Sequence, residues 1–507
     1  MSIPGSQDSP FRVTDLLATA RNKGVKFWCE AGQLRYRAPA GALTPAEVEL
    51  LRSAKGQIIS TILGATGPIR APLSFSQLAH WNLYRLSERR SFREVASVTR
   101  LIGHFNAEAF RKSVAENVRR HDALRTRIVV VDGTPEQEVV SAVGVEPEFV
   151  DLTATAECDR AAEIERQIEE VVLRPIDTSV PPLFAIRLLR LSADEHVLIL
   201  ANEHMISDAF SVGLLLRDLL TAYAQLVQGV EPSLPSLPLQ FHQYATRQQE
   251  SLESMLRRHG AHWNECLQNY RRVRFPPGEL PSTTGGGWGE VPIEIGGELK
   301  GRLTEWCRLQ RTTMVMAMFA AYVALSLRWC GSSQIVTQYI TDGRDDPDTR
   351  NVVGYFASVL YLRITLGERN TFLDLVKQVT EEYCRAYANS DSSYLESQMP
   401  RPDFTRSTAF NWIPQGAEID ISELQGTADS ISCTSIQFKH PRLKNLDRDS
   451  EPAIVLFDTP DRVVGGAYFP AARYSPQIME RYVRNLYRFL HLLVYAPDTP
   501  LEDVVVL

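Results

Sequence analysis

The chain lacks what would tie it to nucleic acid, a membrane or a metal. Its 54 Lys and Arg stand against 61 Asp and Glu, a net charge of −7 over 507 residues, so no basic excess draws it to a polyanion or to nucleic acid. A small molecule or another protein is the expected partner. The seven cysteines, Cys29, Cys158, Cys266, Cys307, Cys330, Cys384 and Cys433, are spread singly. Without a CxxC pair or a nearby His at zinc-site spacing, no metal is expected and the thiols read as reduced and mostly buried. The opening Met1-Ser2-Ile3-Pro4-Gly5-Ser6 has neither the basic nor the apolar region of a signal peptide. No apolar run approaches the roughly 20 residues that span a bilayer, so the expectation is a cytoplasmic protein with no membrane contact. The phosphate-loop pattern GxxxxGKS/T, a GxGxxG after a strand and HExxH are all missing, which leaves nucleotide, dinucleotide and zinc-hydrolase chemistry without support.

What is present is an ordinary globular composition, 44 % hydrophobic and 23 % charged, at a length that exceeds one core, so two or more packing units are expected. The most informative stretch runs from Ala201 to Phe210. Two apolar runs precede it, Leu183 to Leu191 and His196 to Ala201, separated by Ser192-Ala193-Asp194-Glu195, a hairpin-length polar connection. After it Phe210, Gly213, Leu214, Arg217 and Leu220 recur at helical spacing, with Ser207 or Asp208 as N-cap. His204 and Asp208 therefore fall in a strand-to-helix loop, where an imidazole can exchange a proton near neutral pH. A lone His beside a strand end is more often a structural hydrogen-bonding residue, and spacing does not decide between the two readings.

The first sixty residues read separately. Thr14 to Asn22 suits a short helix ended by Gly24, and Val25–Cys29 and Gln33–Arg37 flank Glu30-Ala31-Gly32 as a hairpin. Thr44-Pro45-Ala46-Glu47 is a capping box with Pro at the first helical position, opening a helix that carries Val48, Leu51, Ile58, Ile59 and Ile62. So small a unit buries little alone, so it either dimerises, docks on a partner, or packs on the main body as an extension. The segments VKFWCEAGQLRYRAP and LTPAEVELLRSAKGQIISTIL resemble the N-terminal docking domains of tubulysin-type synthetases. That resemblance implies a helix-hairpin-helix docking domain in residues 1–67, linker included, which can homodimerise. It also implies that the C-terminal tail of an upstream synthetase subunit adds to the hairpin as a strand. Lys26, Trp28, Arg35 and Arg37 are the implied docking residues, the three basic ones suiting an acidic tail.

From Leu73 onward the chain resembles the condensation domains of nonribosomal peptide synthetases. LSFSQLAHWNL keeps Ser74, Gln77 and Trp81 of the SxAQxRLWxL motif, and RRHDALRTRI is close to RHExLRTxF. Leu237–Ala245 partly matches YxDYAxW, with Gln243 and Arg247 in place of the Asp and the Trp. TQYITDGRDDPDTRNVVGYFASVLYLRI keeps Gly343, Arg344, Gly354, Phe356, Leu360 and Arg363 of a GR…IGxFVNTLxLR motif, with Ser358 replacing the Asn. Arg401-Pro402-Asp403-Phe404 and Phe410-Asn411-Trp412 match RDxSRNPL weakly. Ala201–Phe210 itself resembles HHxxxDG, with Glu203 and His204 at the two His positions, Asp208 at the Asp and Ala209 at the Gly.

The resemblance implies an α+β fold: two chloramphenicol acetyltransferase-like lobes, residues 68–275 and 276–507, in a V-shaped pseudo-dimer, with the site at their junction. Upstream donor and downstream acceptor carrier proteins deliver substrates on phosphopantetheine arms, and no cofactor is bound directly. His204 becomes the catalytic residue, which deprotonates or orients the acceptor, and Ser207, Gly354, Phe356 and Ser358 become substrate-tunnel candidates. Asp208 reads as structural, bracing the loop on an Arg, with Arg344 the first choice of partner. Glu203 changes the local charge and tends to raise the pKa of a neighbouring imidazole. Ala209 adds a methyl and disfavours positive φ. Three readings stay open: an amide-forming condensation catalyst, an ester-forming or free-acceptor acyltransferase, and a non-catalytic member that recruits a partner. The ending PDTPLEDVVVL looks like the family's exit toward an adenylation domain.

Overall fold

The computed structural model describes residues 17, 19–20, 23–30, 33–39, 41–55, 58, 68–87, 95–269, 272–276, 287–390, 394, 407–413, 432–436 and 450–506. Near the N-terminus β1 (Lys26–Glu30) and β2 (Gln33–Arg37) pair antiparallel, Lys26 opposite Arg37 and Trp28 opposite Arg35. Because strand side chains alternate between faces, Phe27, Leu34 and Tyr36 share one face and Arg35 and Arg37 the other. Phe27 and Leu34 pack with Leu17, Leu51, Ala54 and Ile58 in a small core. α1 (Pro45–Ser53) begins at the capping box, where the Thr44 N–H donates to Glu47 Oε2 at 2.9 Å and the Glu47 N–H to Thr44 Oγ1 at 3.3 Å. Thr14, Asn22, Ile59, Ile62 and Gly64–Gly67 lie outside the described residues.

The first half of the main body runs β3 (Ile69–Pro72), α2 (Phe75–Ser87), β4 (Val95–Ile102), α3 (Ala107–Arg120), β5 (Thr126–Val131), β6 (Thr134–Val139), β7 (Glu148–Asp151) and α4 (Glu157–Leu173). It continues with β8 (Phe184–Arg190), β9 (Glu195–Asn202), α5 (Ala209–Val227), α6 (Phe241–Glu250) and α7 (Leu252–Leu267). β9 is apolar almost throughout because both of its faces are covered. Leu198 and Leu200 pack with Phe110 and Val114 of α3 and Leu215 and Leu219 of α5, while Val197, Ile199 and Ala201 pack with Ile168 and Val172 of α4. α5, 19 residues long, is apolar enough to cross a membrane by length and composition, which corrects the expectation that no run comes close. Its apolar side chains are instead part of that core.

The second half runs β10 (Trp288–Gly296), α8 (Gly297–Gln310), α9 (Met314–Cys330), β11 (Gln334–Thr341), β12 (Ser358–Thr365), α10 (Phe372–Ala388) and β13 (Ala409–Ile413). β14 (Ser432–Ser435), β15 (Ala453–Asp458), β16 (Arg462–Pro470) and α11 (Pro476–Tyr495) follow. β10-β16-β15-β13 repeats the order β4-β9-β8-β7 of the first sheet. Strand sense repeats too, antiparallel, antiparallel, then parallel. In both halves a helix follows the hairpin, α5 after β9 and α11 after β16.

The halves interlock. β14, far into the second half, pairs antiparallel with β4 of the first sheet, and Val353 is buried in the first half's core. In the other direction Cys266 of α7 packs with Val336 and Tyr361 of the second sheet.

Candidate active site

The site begins where β9 ends. The Glu203 N–H donates to Leu183 O at 2.8 Å, prolonging the β8–β9 ladder by one step. The chain then turns into a 3-10 segment, His204–Ile206, capped by the Glu203 carboxylate accepting the Met205 N–H. Met205 and Ile206 are buried, while His204 is half-buried. Gln77 of α2 holds the turn from the side, its Nε2 donating to Met205 O at 2.7 Å. His204 Nδ1 lies 2.9 Å from the Ser207 carbonyl oxygen. A carbonyl only accepts, so Nδ1 carries the proton and the lone pair of the neutral ring falls on Nε2. That is the tautomer a general base needs.

Asp208 caps α5 and ties it to the second half. Its Oδ1 accepts the Ser211 N–H at 2.8 Å and Arg344 Nη2 at 3.3 Å, and its Oδ2 accepts the Phe356 and Ala357 N–H groups at 2.9 and 3.1 Å. Arg344 Nη1 donates to Thr349 O and Val352 O, Nη2 also to Ser211 Oγ, and the guanidinium lies 4.1 Å from the Phe356 ring centre. Ser211 Oγ donates to Gly354 O at 2.8 Å and accepts the Gly354 N–H at 3.1 Å. A carboxylate and a guanidinium sealed from water are stable only when nearly every lone pair and N–H is met, and here nearly all are.

This network brings His204, Asp208, Arg344, Gly354 and Phe356 together. Phe356 is enclosed by Phe241, Tyr244 and Arg344. Gly354 admits no side chain, since a Cβ there would lie 2.0 Å from the Phe241 ring. Ser207 is buried and its Oγ accepts from Asn202 Nδ2 at 3.4 Å, while Ser358 opens β12 opposite Thr341. Ala209 is exposed at the first position of α5 and is not among the residues at positive φ, so the backbone objection to Ala in place of Gly does not arise. Arg35 and Arg37 are exposed on the hairpin, opposite the register positions of Trp28 and Lys26. Arg401–Phe404 lies outside the described residues, whereas Phe410, Asn411 and Trp412 form part of β13.

Two residues of the site are not evident from motif reading. The Tyr355 ring lies 4.1 Å from the His204 ring, and the His80 ring lies 5.3 Å from it. The signal for His80 is its place three residues after Gln77 on α2, since i and i+3 share a helix face and the Gln77 side reaches the His204 turn. A His–carboxylate contact away from this site, His121 Nε2 to Asp218 Oδ2 at 3.1 Å, is wholly enclosed and open to no substrate. Burial holds the His121 pKa below its ordinary value despite Asp218 beside it.

Residues 70–413 match the condensation domain family and residues 13–62 the TubC N-terminal docking domain family. A linear gramicidin synthase protein of Brevibacillus parabrevis is 26% identical over 476 residues, which are 92% of this chain and 9% of that protein. Isonitrile lipopeptide synthase of Mycobacterium tuberculosis (strain ATCC 25618 / H37Rv) is 30% identical over 465 residues, 87% of this chain and 18% of that protein. The chain thus spans less than a fifth of the length of either relative. Among solved structures, the X-domain from teicoplanin biosynthesis matches with a TM-score of 0.72 at 20% identity, covering 87% of this chain and 98% of that one. The first condensation domain of the CDA synthetase matches with a TM-score of 0.67 at 17% identity, covering 87% and 100%. With two thirds of its length inside that family match, and with the fold and the His204 site of the preceding paragraphs, the chain belongs to the condensation domain family and carries a TubC-type docking domain ahead of it.

Proposed function

We propose that the chain is a condensation catalyst of a nonribosomal peptide synthetase, joining a carrier-bound acyl or aminoacyl thioester to an amine by amide bond formation. The observation that carries this reading is the half-buried His204, fixed by its Nδ1 bond to Ser207 O with the lone pair on Nε2. Nε2 accepts the amine proton, or orients the amine, as nitrogen attacks the thioester carbonyl. The C–N bond forms, the C–S bond breaks, and the phosphopantetheine thiolate leaves and is protonated. Amide groups of the loop stabilise the oxyanion formed on the way. A thioester is already activated, so holding both substrates in reacting geometry supplies much of the acceleration. Donor and acceptor carrier proteins bring the phosphopantetheine arms, Ser207, Gly354, Phe356 and Ser358 border the path, and Asp208 and Arg344 keep the site in shape. A cytoplasmic setting suits Cys158, Cys266, Cys307, Cys330, Cys384 and Cys433, all free.

The N-terminal unit receives the acidic tail of an upstream subunit on its hairpin, through Arg35, Arg37, Lys26 and Trp28, and a homodimer through the same unit is part of the proposal. A non-catalytic, recruiting role is favoured by one comparison: the structures this chain resembles include a complex of the X-domain and OxyB from teicoplanin biosynthesis, at a TM-score of 0.71. Incubation with an acyl-loaded carrier and carrier-bound or free amines, read by intact-protein mass spectrometry, separates the two. Acyl transfer to an amine supports catalysis, and carrier binding with no transfer to any acceptor supports recruitment. Transfer to an alcohol keeps the mechanism and changes the product to an ester.

A further inference from the structure

Glu203, next to His204 in the chain, is wholly buried. Its Oε2 caps the turn through the Met205 N–H, and its Oε1 lies 3.9 Å from His80 Nε2. The Glu203 side chain is sealed from solvent and that of His80 nearly so, at 0% and 10% exposure. A carboxylate in such a place needs a cationic or donor group beside it. His80 comes from α2, whose Gln77 already grips the same turn through Met205 O. Around the His80 ring stand Glu203 before the turn, His204 within it at 5.3 Å between ring centres, and Tyr355 from the second half at 5.6 Å. Tyr355 in turn stands 4.1 Å from the His204 ring, so the three rings form one mutually packed set.

We propose that His80 and Glu203 act as one positioning unit for His204: the His80 imidazolium and the Glu203 carboxylate pair beneath the site. Together they fix both the turn that carries the His204 ring and the charge it meets. His80 offsets the Glu203 carboxylate that stands where the resembling motif has a His, so the local charge is set by two residues far apart in sequence. Neither residue touches substrate, and both act through His204. The inference rests on the proposed acyl transfer for its kinetic consequence, though not for the pairing itself.

His80→Gln, Glu203→Gln and the double variant test it in the full chain. Glu203→Gln keeps an oxygen for the Met205 N–H and removes only the charge. Each single variant lowers kcat by roughly 10- to 100-fold, the loss that slight misplacement of a reacting group brings, with KM for the carrier substrates unchanged. The double variant is no slower than the slower single, because both remove the same interaction. His80→Lys, which keeps a cation facing Glu203, retains kcat within a few-fold, whereas a role confined to ring packing predicts that Lys fails as Gln does. Losses that multiply in the double variant, an unchanged kcat in His80→Gln, or a KM effect alone overturn the proposal. The parent, the two single Gln variants and the double variant are also compared in urea: a non-additive shift of the unfolding midpoints supports the pair, and additive shifts overturn it. If the parent transfers no acyl group to any acceptor, the proposed function fails, and the urea cycle still decides the pairing.

Discussion

The Asp208 carboxylate and the Arg344 guanidinium meet at 3.3 Å across 136 positions of chain, with side chains only 3% and 2% exposed. The same carboxylate caps α5 and accepts two N–H groups from the 356–357 backbone, so it serves as a rivet between the halves. Asp208→Ala leaves Arg344 buried without its carboxylate and is predicted to destabilise the protein by about 3–5 kcal/mol. Urea unfolding followed by circular dichroism measures it. Activity lost by this variant reflects a collapsed site and says nothing of proton transfer at Asp208.

Gly354 and Gly301 make a matched pair. A methyl at Gly354 would lie 2.0 Å from the Phe241 ring, whereas one at Gly301, inside α8, meets nothing within 4 Å. Gly354→Ala is predicted to destabilise by about 1–3 kcal/mol through overpacking. Gly301→Ala is predicted to stabilise by about 0.5–1 kcal/mol through helix propensity and a more restricted unfolded chain. Denaturant midpoints at constant m-value report both.

Acid weakens the fold through buried imidazoles. Burial holds His121 below its ordinary 6.5, against Asp218 beside it and with Arg120 and Arg217 adding to the lowering. Burial also lowers His242, against Asp122 and with Arg125. The unfolded chain takes up protons near pH 6.5 while the folded chain does not, so stability falls as pH drops from 7 through 6.5 toward the lowered folded values. For Asp218 burial acts upward, and the His121 hydrogen bond with the Arg217 and Arg120 guanidinium groups outweighs it. Its depressed pKa adds stability above the ordinary 3.8 that is lost as pH falls below it. His121→Gln is predicted to flatten the decline between pH 6.5 and 5 by up to about 1.4 kcal/mol per pH unit. Urea titrations at stepped pH check it, and a slope equal to the parent's contradicts it.

Local chemistry announces most elements. Thr44, Asn106, Asp208, Thr313 and Thr371 each accept an N–H from the first turn they precede. Asp132-Gly133, both at positive φ, turn β5 into β6. The Asp208–Arg344 contact is also legible, since a buried carboxylate at a helix start needs a cation and the resembling motifs offer one. Interlocking is not legible: Ser432-Cys433-Thr434-Ser435 carries no apolar alternation and becomes a strand only by pairing with β4 across more than three hundred residues. His80 is missed for a related reason. Its meaning lies in Glu203 and Tyr355, and neither is near it in sequence.

Charge governs the expected behaviour of the hairpin. Arg35 and Arg37 are exposed and have no part in the small core around Leu51 and Ile58. Arg35→Glu with Arg37→Glu is predicted to weaken binding of an acidic upstream tail at least about tenfold while leaving thermal unfolding unchanged, and added salt should weaken the parent in the same direction. Calorimetric titration of the full chain with the tail peptide measures it. Equal affinity in parent and variant contradicts a charge-read docking face.

The most direct measurement is the single-turnover rate of acyl transfer from a loaded carrier, parent against His204→Ala. The His204 ring is half-buried and rests on the turn, so its removal leaves the Asp208–Arg344 rivet and the Gln77 grip in place. The predicted rate is lower by roughly 10²–10⁴-fold, with carrier binding and the unfolding midpoint close to the parent's. An undiminished rate in a folded His204→Ala protein would contradict the assignment of His204 as the base.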